Sequence, residues 1–257
     1  MSSAPFQVTA LHPTASLIDA IWAHWKEYLM EAAELATLML CICGTGTLLY
    51  SRNSPVATAG LSGITRSALM GVIVASATLM IIRSPFGRKS GAHFNPALTV
   101  AYFALRRIHR WDALGYVVAQ FVGGIIGVFL AHQLLRTNLS DFPVRYVVTL
   151  PGRNGSLVAF LLEFLTSFLL MLVVLVASNH PRLARYTPLL VALLTVFYYV
   201  FSTSISGYSV NPARSLSSAL FARIWQGIWL YFIGPSLGMV TAAVLYAKIA
   251  GSDRVYC

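Results

Sequence analysis

The sequence predicts an all-α integral membrane protein: six transmembrane helices with two re-entrant half-helices, arranged as an inverted repeat. Three observations carry that expectation. The 257-residue chain is 57% hydrophobic and only 10% charged, with a mean hydropathy of +0.72, more apolar surface than a soluble domain of this length can bury. Six apolar stretches are each long enough to cross a hydrocarbon core. The triplet Asn-Pro-Ala occurs twice, at Asn95-Pro96-Ala97 and Asn211-Pro212-Ala213, each time opening an apolar segment too short to cross one.

In chain order, residues 1–27 are mixed in polarity, carry no secretory h-region or cleavage site, and read as a cytoplasmic N-terminal tail. The spans follow at residues 28–50, 61–82, 113–135, 156–177, 187–205 and 225–250, within a single domain over 28–250, and residues 251–257 form a short cytoplasmic C-terminal tail. Between them lie the short pieces 95–105 and 211–222. At about 1.5 Å per residue, each of these reaches roughly halfway through a bilayer. Asn is a good N-cap, and Pro suits the first helical position, where its missing N–H costs nothing. Each triplet therefore marks a helix start at membrane depth.

Three full spans separate the two triplets, an odd number. The second half-helix must therefore enter from the opposite face, and the two N-termini meet near the midplane. The repeats run approximately over 28–135 and 156–250. A weak internal echo accompanies them: Glu34-Leu35-Ala36-Thr37 in the first span matches Glu163-Phe164-Leu165-Thr166 in the fourth.

The net charge of +10 would point to nucleic acid in a soluble domain; here it fits the excess of Lys and Arg in cytoplasmic loops. With both termini inside, eleven basic residues are cytoplasmic: Lys26, Arg83, Arg88, Lys89, Arg106, Arg107, Arg110, Arg182, Arg185, Lys248 and Arg254. Six lie outside: Arg52, Arg66, Arg136, Arg145, Arg153 and Arg223. Arg214 is set apart as a candidate intramembrane residue. Cys41, Cys43 and Cys257 make no disulfide framework, and Cys41 and Cys43 point away from each other on a helix. No nucleophile–base constellation and no metal-ligand spacing is present, so there is no catalytic residue, cofactor or metal to assign. Asn138-Leu139-Ser140 and Asn154-Gly155-Ser156 are glycosylation sequons on the predicted outer side. Gly123 and Gly127 form a small-residue surface suited to close helix packing.

The segments Ser90-Gly91-Ala92-His93-Phe94-Asn95-Pro96-Ala97 and Asn211-Pro212-Ala213-Arg214-Ser215 resemble the two signature loops of the aquaporins, the major intrinsic proteins. Tyr116-Val117-Val118-Ala119-Gln120-Phe121-Val122-Gly123 and Gly234-Pro235-Ser236-Leu237-Gly238 are similar to family patterns in the third and sixth spans, and the likeness covers roughly residues 28–250. The resemblance implies an aquaporin-like bundle conducting water in single file while excluding ions and protons, with glycerol or other small neutral solutes as the alternative. It also implies a homotetramer in a plasma or bacterial inner membrane, with one pore per protomer.

Under that resemblance, Asn95 and Asn211 present amide donors to water at a central constriction. The positive ends of the half-helices then oppose cations. Arg214 matches the arginine of the outer constriction, the selectivity filter. Tyr208, three before Asn211, and Tyr199, twelve before it, fall on further filter positions, and Val72 is taken for the second-span position. Glu34 and Glu163 are implied to accept hydrogen bonds from loop N–H groups, with Glu31 on nearly the same face as an alternative to Glu34, and His93 braces the first loop. Ser215 stands where glycerol facilitators usually carry Asp. A secondary transporter would also use inverted repeats, and a non-conducting structural membrane protein would keep the bundle; ion-gradient dependence of flux favours the first, and absence of permeability the second.

Overall fold

The computed structural model describes residues 14–251; residues 1–13 and 252–257, and with them Arg254 and Cys257, lie outside the described residues. Helix α1 spans Leu17–Tyr50 and begins eleven residues before the expected span. The reason is local. Ser16 and Asp19 form a capping box, with the Ser16 hydroxyl accepting from the Asp19 N–H and the Asp19 carboxylate accepting from the Ser16 N–H, both at 3.2 Å. His24 interrupts the helix with φ −124° and ψ 15°.

A short helix α2, Pro55–Thr58, leads to α3, Gly63–Arg83, which is capped by the Ser62 hydroxyl. The segment after α3 is not a plain linker. Ser84 caps the Gly87 N–H and Pro85 takes the first turn, making an extra helix, α4, over Pro85–Ser90. Then come α5 (Pro96–Ala104), α6 (Arg110–Leu135), α7 (Thr137–Ser140), α8 (Gly155–Ser178), α9 (Thr187–Ser206), α10 (Pro212–Ala222) and α11 (Ile228–Ala250). Of these, α1, α3, α6, α8, α9 and α11 are long and apolar enough to cross a membrane. Large apolar side chains such as Met80, Leu134, Leu165, Phe201 and Ile249 stay exposed on their outer faces, as expected where the surrounding solvent is lipid.

The two halves pack alike. Helix α1 lies along α6, and α8 lies along α11, while α3 and α9 join the halves. Glycines allow the two close crossings. A Cβ on Gly123 would sit 2.1 Å from the Ala32 carbonyl oxygen, and one on Gly238 would sit 2.3 Å from that of Phe164. Each half-helix is nested in the opposite repeat as well as its own: α5 packs on α11 and α6, and α10 on α6 and α11. The N-termini of α5 and α10 are thereby brought together in the interior.

Candidate functional site

The loops that enter the two half-helices share a pattern visible once they are superposed on the fold: Ser90-Gly91 and Ser206-Gly207 each precede an Asn-Pro-Ala triplet by the same interval. In both, Ser ends a helix and Gly turns the chain through a left-handed conformation, φ 94° at Gly91 and 78° at Gly207, which a side chain would strain. Tyr116 donates to the Ser90 carbonyl and Tyr231 to that of Ser206, each at 2.6 Å. The backbone then alternates in and out of the left-handed region, with positive φ at Ala92 and Phe94 in one loop and at Tyr208 and Val210 in the other. Such conformations are costly for residues with a Cβ and persist only where their surroundings hold them.

Buried carboxylates hold them. Glu31 accepts from the backbone N–H of His93 (2.8 Å) and Phe94 (2.6 Å), and Glu163 from those of Ser209 (2.8 Å) and Val210 (2.7 Å). In a trans peptide the N–H and the preceding C=O point in opposite directions. Turning these four N–H groups toward glutamates therefore turns the carbonyls of Ala92, His93, Tyr208 and Ser209 the other way, toward the cavity that these residues line.

Here the first-repeat assignment is corrected. Glu31, not Glu34, binds the loop backbone; Glu34 accepts from the Ser90 hydroxyl at 2.8 Å. In the second repeat Glu163 does both, also accepting from the Ser206 hydroxyl at 2.7 Å. The Glu34–Glu163 sequence echo was out of register by one helical turn, and periodicity alone cannot separate residues three apart on one face. The residue that would have separated them is Gln120, whose amide donates to Glu31 at 2.7 Å and to Thr99 at 3.0 Å. The His93 ring stacks on Tyr102 at 4.9 Å, and its Nδ1 pairs with the Thr99 hydroxyl at 3.1 Å.

At the meeting point, each triplet Asn is both a cap and a cross-link. The Asn95 side-chain oxygen accepts from Ala97 N–H, and that of Asn211 from Ala213 and Arg214 N–H. The amide nitrogens cross over: Asn95 donates to the Val210 carbonyl and Asn211 to the Phe94 carbonyl, both at 2.8 Å. Since an amide group carries two N–H donors, each Asn keeps one for another acceptor.

Asn95 and Asn211 line a cavity of 160 Å³ together with residues of α1, α3, α5, α8, α9, α10 and α11. Tyr199, Tyr208 and Arg214 line the same cavity. The two tyrosine rings meet edge to face at 4.8 Å. Arg214 is 4% exposed, and its Nη1 has no hydrogen-bond partner among the described residues, a costly state that a polar occupant of the cavity relieves. Val72 is not part of this constellation. It is 51% exposed on the outer face of α3, and the cavity is lined instead by Val74 and Thr78. Two residues correspond to about 200° of helix rotation, which puts Val72 on the opposite side from Val74. The extra helix α4 lengthens the connection between α3 and the first triplet, so spacing from that triplet does not give the register of α3.

Sequence reading missed three polar contacts at the end of the bundle where α1 begins. Asp112 is fully buried and accepts from His24 and from the Tyr28 hydroxyl, both at 2.7 Å, and Lys89 pairs with Glu27 at 3.2 Å. Each joins residues more than sixty positions apart, beyond the reach of local patterns.

Two half-helices opposed at their N-termini across a lined cavity, inside a six-span inverted repeat, define a polytopic membrane protein of channel architecture. The chain belongs to the major intrinsic protein family, whose model matches residues 20–246. It is 33% identical over 239 residues to the glycerol uptake facilitator protein-like 6 of Lactiplantibacillus plantarum, covering 89% of this chain and 99% of the relative. It is 29% identical over 230 residues to aquaporin Z of Bradyrhizobium diazoefficiens, covering 86% and 92%. The X-ray structure of the aquaglyceroporin from Plasmodium falciparum superposes with a TM-score of 0.73 over 90% of this chain and 98% of that one, at 20% identity, which speaks for the fold alone. The protein is thus a membrane channel of a family whose named members include both aquaporins and glycerol facilitators.

Proposed function

We propose that this protein is a passive channel conducting water in single file while excluding ions and protons. The observation that carries the reading is the crossed pair Asn95 and Asn211 at the apposed N-termini of α5 and α10. Each keeps one amide N–H for a passing oxygen, and two donors from opposite sides orient a water so that it cannot relay a proton through the centre. The partial positive charges of the two helix ends raise the potential at that point against cations. Arg214, Tyr199 and Tyr208 form the narrow filter, with the unpartnered Arg214 Nη1 and the Tyr208 carbonyl as its donor and acceptor. Val74 supplies the second-span wall.

Glycerol or another small neutral solute is the second reading. It is favoured by the small Val74 on the cavity wall and by the 33% identity to a protein named a glycerol uptake facilitator. The channel domain is residues 28–250. It works as a homotetramer with one pore per protomer, in a plasma or bacterial inner membrane, both termini cytoplasmic; the excess of eleven inner over six outer basic residues supports that orientation.

Stopped-flow light scattering on proteoliposomes, with impermeant-osmolyte and glycerol gradients in parallel, decides between the readings. Fast water flux without glycerol uptake supports the first. Fast glycerol entry installs the second, and neither flux removes both.

A further inference from the structure

Three buried hydroxyl groups from three separate segments meet behind the second signature loop. Thr149 belongs to the stretch connecting the two repeats, Ser209 to the loop, and Ser215 to the first turn of α10. The Thr149 and Ser215 oxygens are 2.7 Å apart, and those of Ser215 and Ser209 2.5 Å. The Ser209 hydroxyl also donates to the Asn211 carbonyl at 2.9 Å and accepts from the Asn211 N–H at 3.3 Å.

A count of protons orients this chain. A hydroxyl has one proton to give. The Ser209 hydroxyl lies 2.9 Å from the Asn211 carbonyl, which only accepts and also receives the Ser215 N–H at 3.2 Å, and donation to that carbonyl sets the orientation of the rest. With Ser209 oriented that way, Ser215 donates to Ser209 and accepts from Thr149. The chain runs one way, from Thr149 through Ser215 and Ser209 to the backbone of a triplet asparagine.

Its links neighbour two candidate filter residues: Ser215 follows Arg214, and Ser209 follows Tyr208. Both Tyr208 and Val210 are in the left-handed region, so the loop depends on its side-chain anchors. The connecting stretch is pressed against this loop elsewhere too. Gly152 N–H donates to the Ile205 carbonyl at 2.8 Å, and a Cβ on Gly207 would come within 3.0–3.2 Å of Leu150 and Thr149.

We infer that Thr149 is a positioning residue that sets solute selectivity: as first donor of a one-way hydroxyl chain, it fixes the loop carrying Tyr208 and Arg214. The inference rests on the proposed reading of those residues as the filter. Without Thr149's proton, Ser215 keeps an unfilled lone pair in a fully buried site and its hydroxyl is free to rotate off Ser209. The loop then loosens and the opening widens, so a three-carbon polyol gains on water. The same count gives Ser215 its meaning. An aspartate there has no proton for Ser209, so Ser209 must turn its own proton to the carboxylate and release the Asn211 carbonyl.

The test uses the full chain in proteoliposomes, with Thr149→Val, Thr149→Ser, Ser215→Ala and the Thr149→Val/Ser215→Ala double variant. Water and glycerol permeabilities are measured by stopped flow, and melting temperatures in detergent. Thr149→Val is expected to raise the glycerol-to-water ratio several-fold, Thr149→Ser to keep the parental ratio, and the double variant to go no further than either single one. An unchanged ratio in Thr149→Val, or a Thr149→Ser ratio as altered as that of Val, overturns the inference. Ser215→Ala breaks the next link and takes the place of Thr149→Val should that variant not fold. A parent conducting neither solute is the failure of the proposed function. The chain is then decided by the melting temperatures: losses that add in the double variant overturn it, and losses that do not add uphold it.

Discussion

Replacing Glu163 by Gln changes one oxygen to an NH2 group and nothing else in size, so its consequence can be worked from three hydrogen bonds. Glu163 Oε1 accepts from Ser206 Oγ and Ser209 N–H, and Oε2 from Val210 N–H. The best orientation of a glutamine amide keeps its oxygen at the Oε1 position and preserves two of the three. Its nitrogen then faces the Val210 N–H across 2.7 Å, donor against donor, in a site that is fully buried. Leaving a buried N–H unsatisfied costs about 1–3 kcal/mol, and the bond lost was to a charged or strongly polar acceptor, so we take about 2–3 kcal/mol. In a chain of this length, that corresponds to a fall in melting temperature of roughly 4–12 °C.

The functional effect follows from what Val210 does. Its φ of 48° is held by that N–H bond, and its carbonyl receives the Asn95 amide at 2.8 Å. Releasing Val210 therefore slackens the Asn95–Asn211 crossing. Water permeability per channel is expected to fall together with thermal stability, measured by stopped flow and by fluorescence-detected unfolding. Glu31→Gln should behave alike, since Glu31 holds His93 and Phe94 in the same manner, whereas Glu34→Gln, touching only the Ser90 hydroxyl, should be milder. A Glu163→Gln protein with parental stability and flux, or a Glu34→Gln protein more damaged than Glu31→Gln, would refute the reasoning.

Arg214→Val should admit larger solutes and leak protons. A unit charge about 6 Å from the permeation path, at an effective dielectric of about 20, raises a cation barrier by about 3 kcal/mol, so its loss raises the leak about a hundredfold; a pH-sensitive dye inside proteoliposomes reads this. Gly123→Ala drives a Cβ to within 2.1 Å of the Ala32 carbonyl, so α1 and α6 must separate by about 1 Å, an overpacking costing about 1–3 kcal/mol. It should lower the melting temperature, as should Gly238→Ala in the other repeat, and a parental value in both would show the crossings to be soft. Val74→Phe should cut flux by filling the cavity, while Val72→Phe, on the outer face, should leave it unchanged. Equal effects on flux would show that Val74 does not line the permeation path.

Much of the architecture was legible because a bilayer imposes local rules. Span length, apolar composition and the Asn-Pro start of a half-helix are properties of contiguous residues, and the parity of the spans between triplets then dictates the inversion. The helix starts at Thr187 and near Ser156, and those of α5 and α10, fell at or within a residue of expectation. The start of α1 lies earlier, because a polar capping box at Ser16, and not apolarity, decides it.

The sequence alone determined the class of fold, the family and the identity of the residues at the two triplets, since these depend on composition, spacing and neighbours along the chain. Only the tertiary structure decided which of Glu31 and Glu34 binds a loop, that Val74 rather than Val72 lines the cavity, and that Thr149 reaches Ser215. Each of those is a question of rotation about a helix axis or of contact between distant segments. Residues three apart on a helix lie on nearly one face, and two residues reverse it, so an offset that hydropathy hardly registers changes the side chain's partner entirely. Close packing fixes that angle, and close packing is made by residues from both repeats at once.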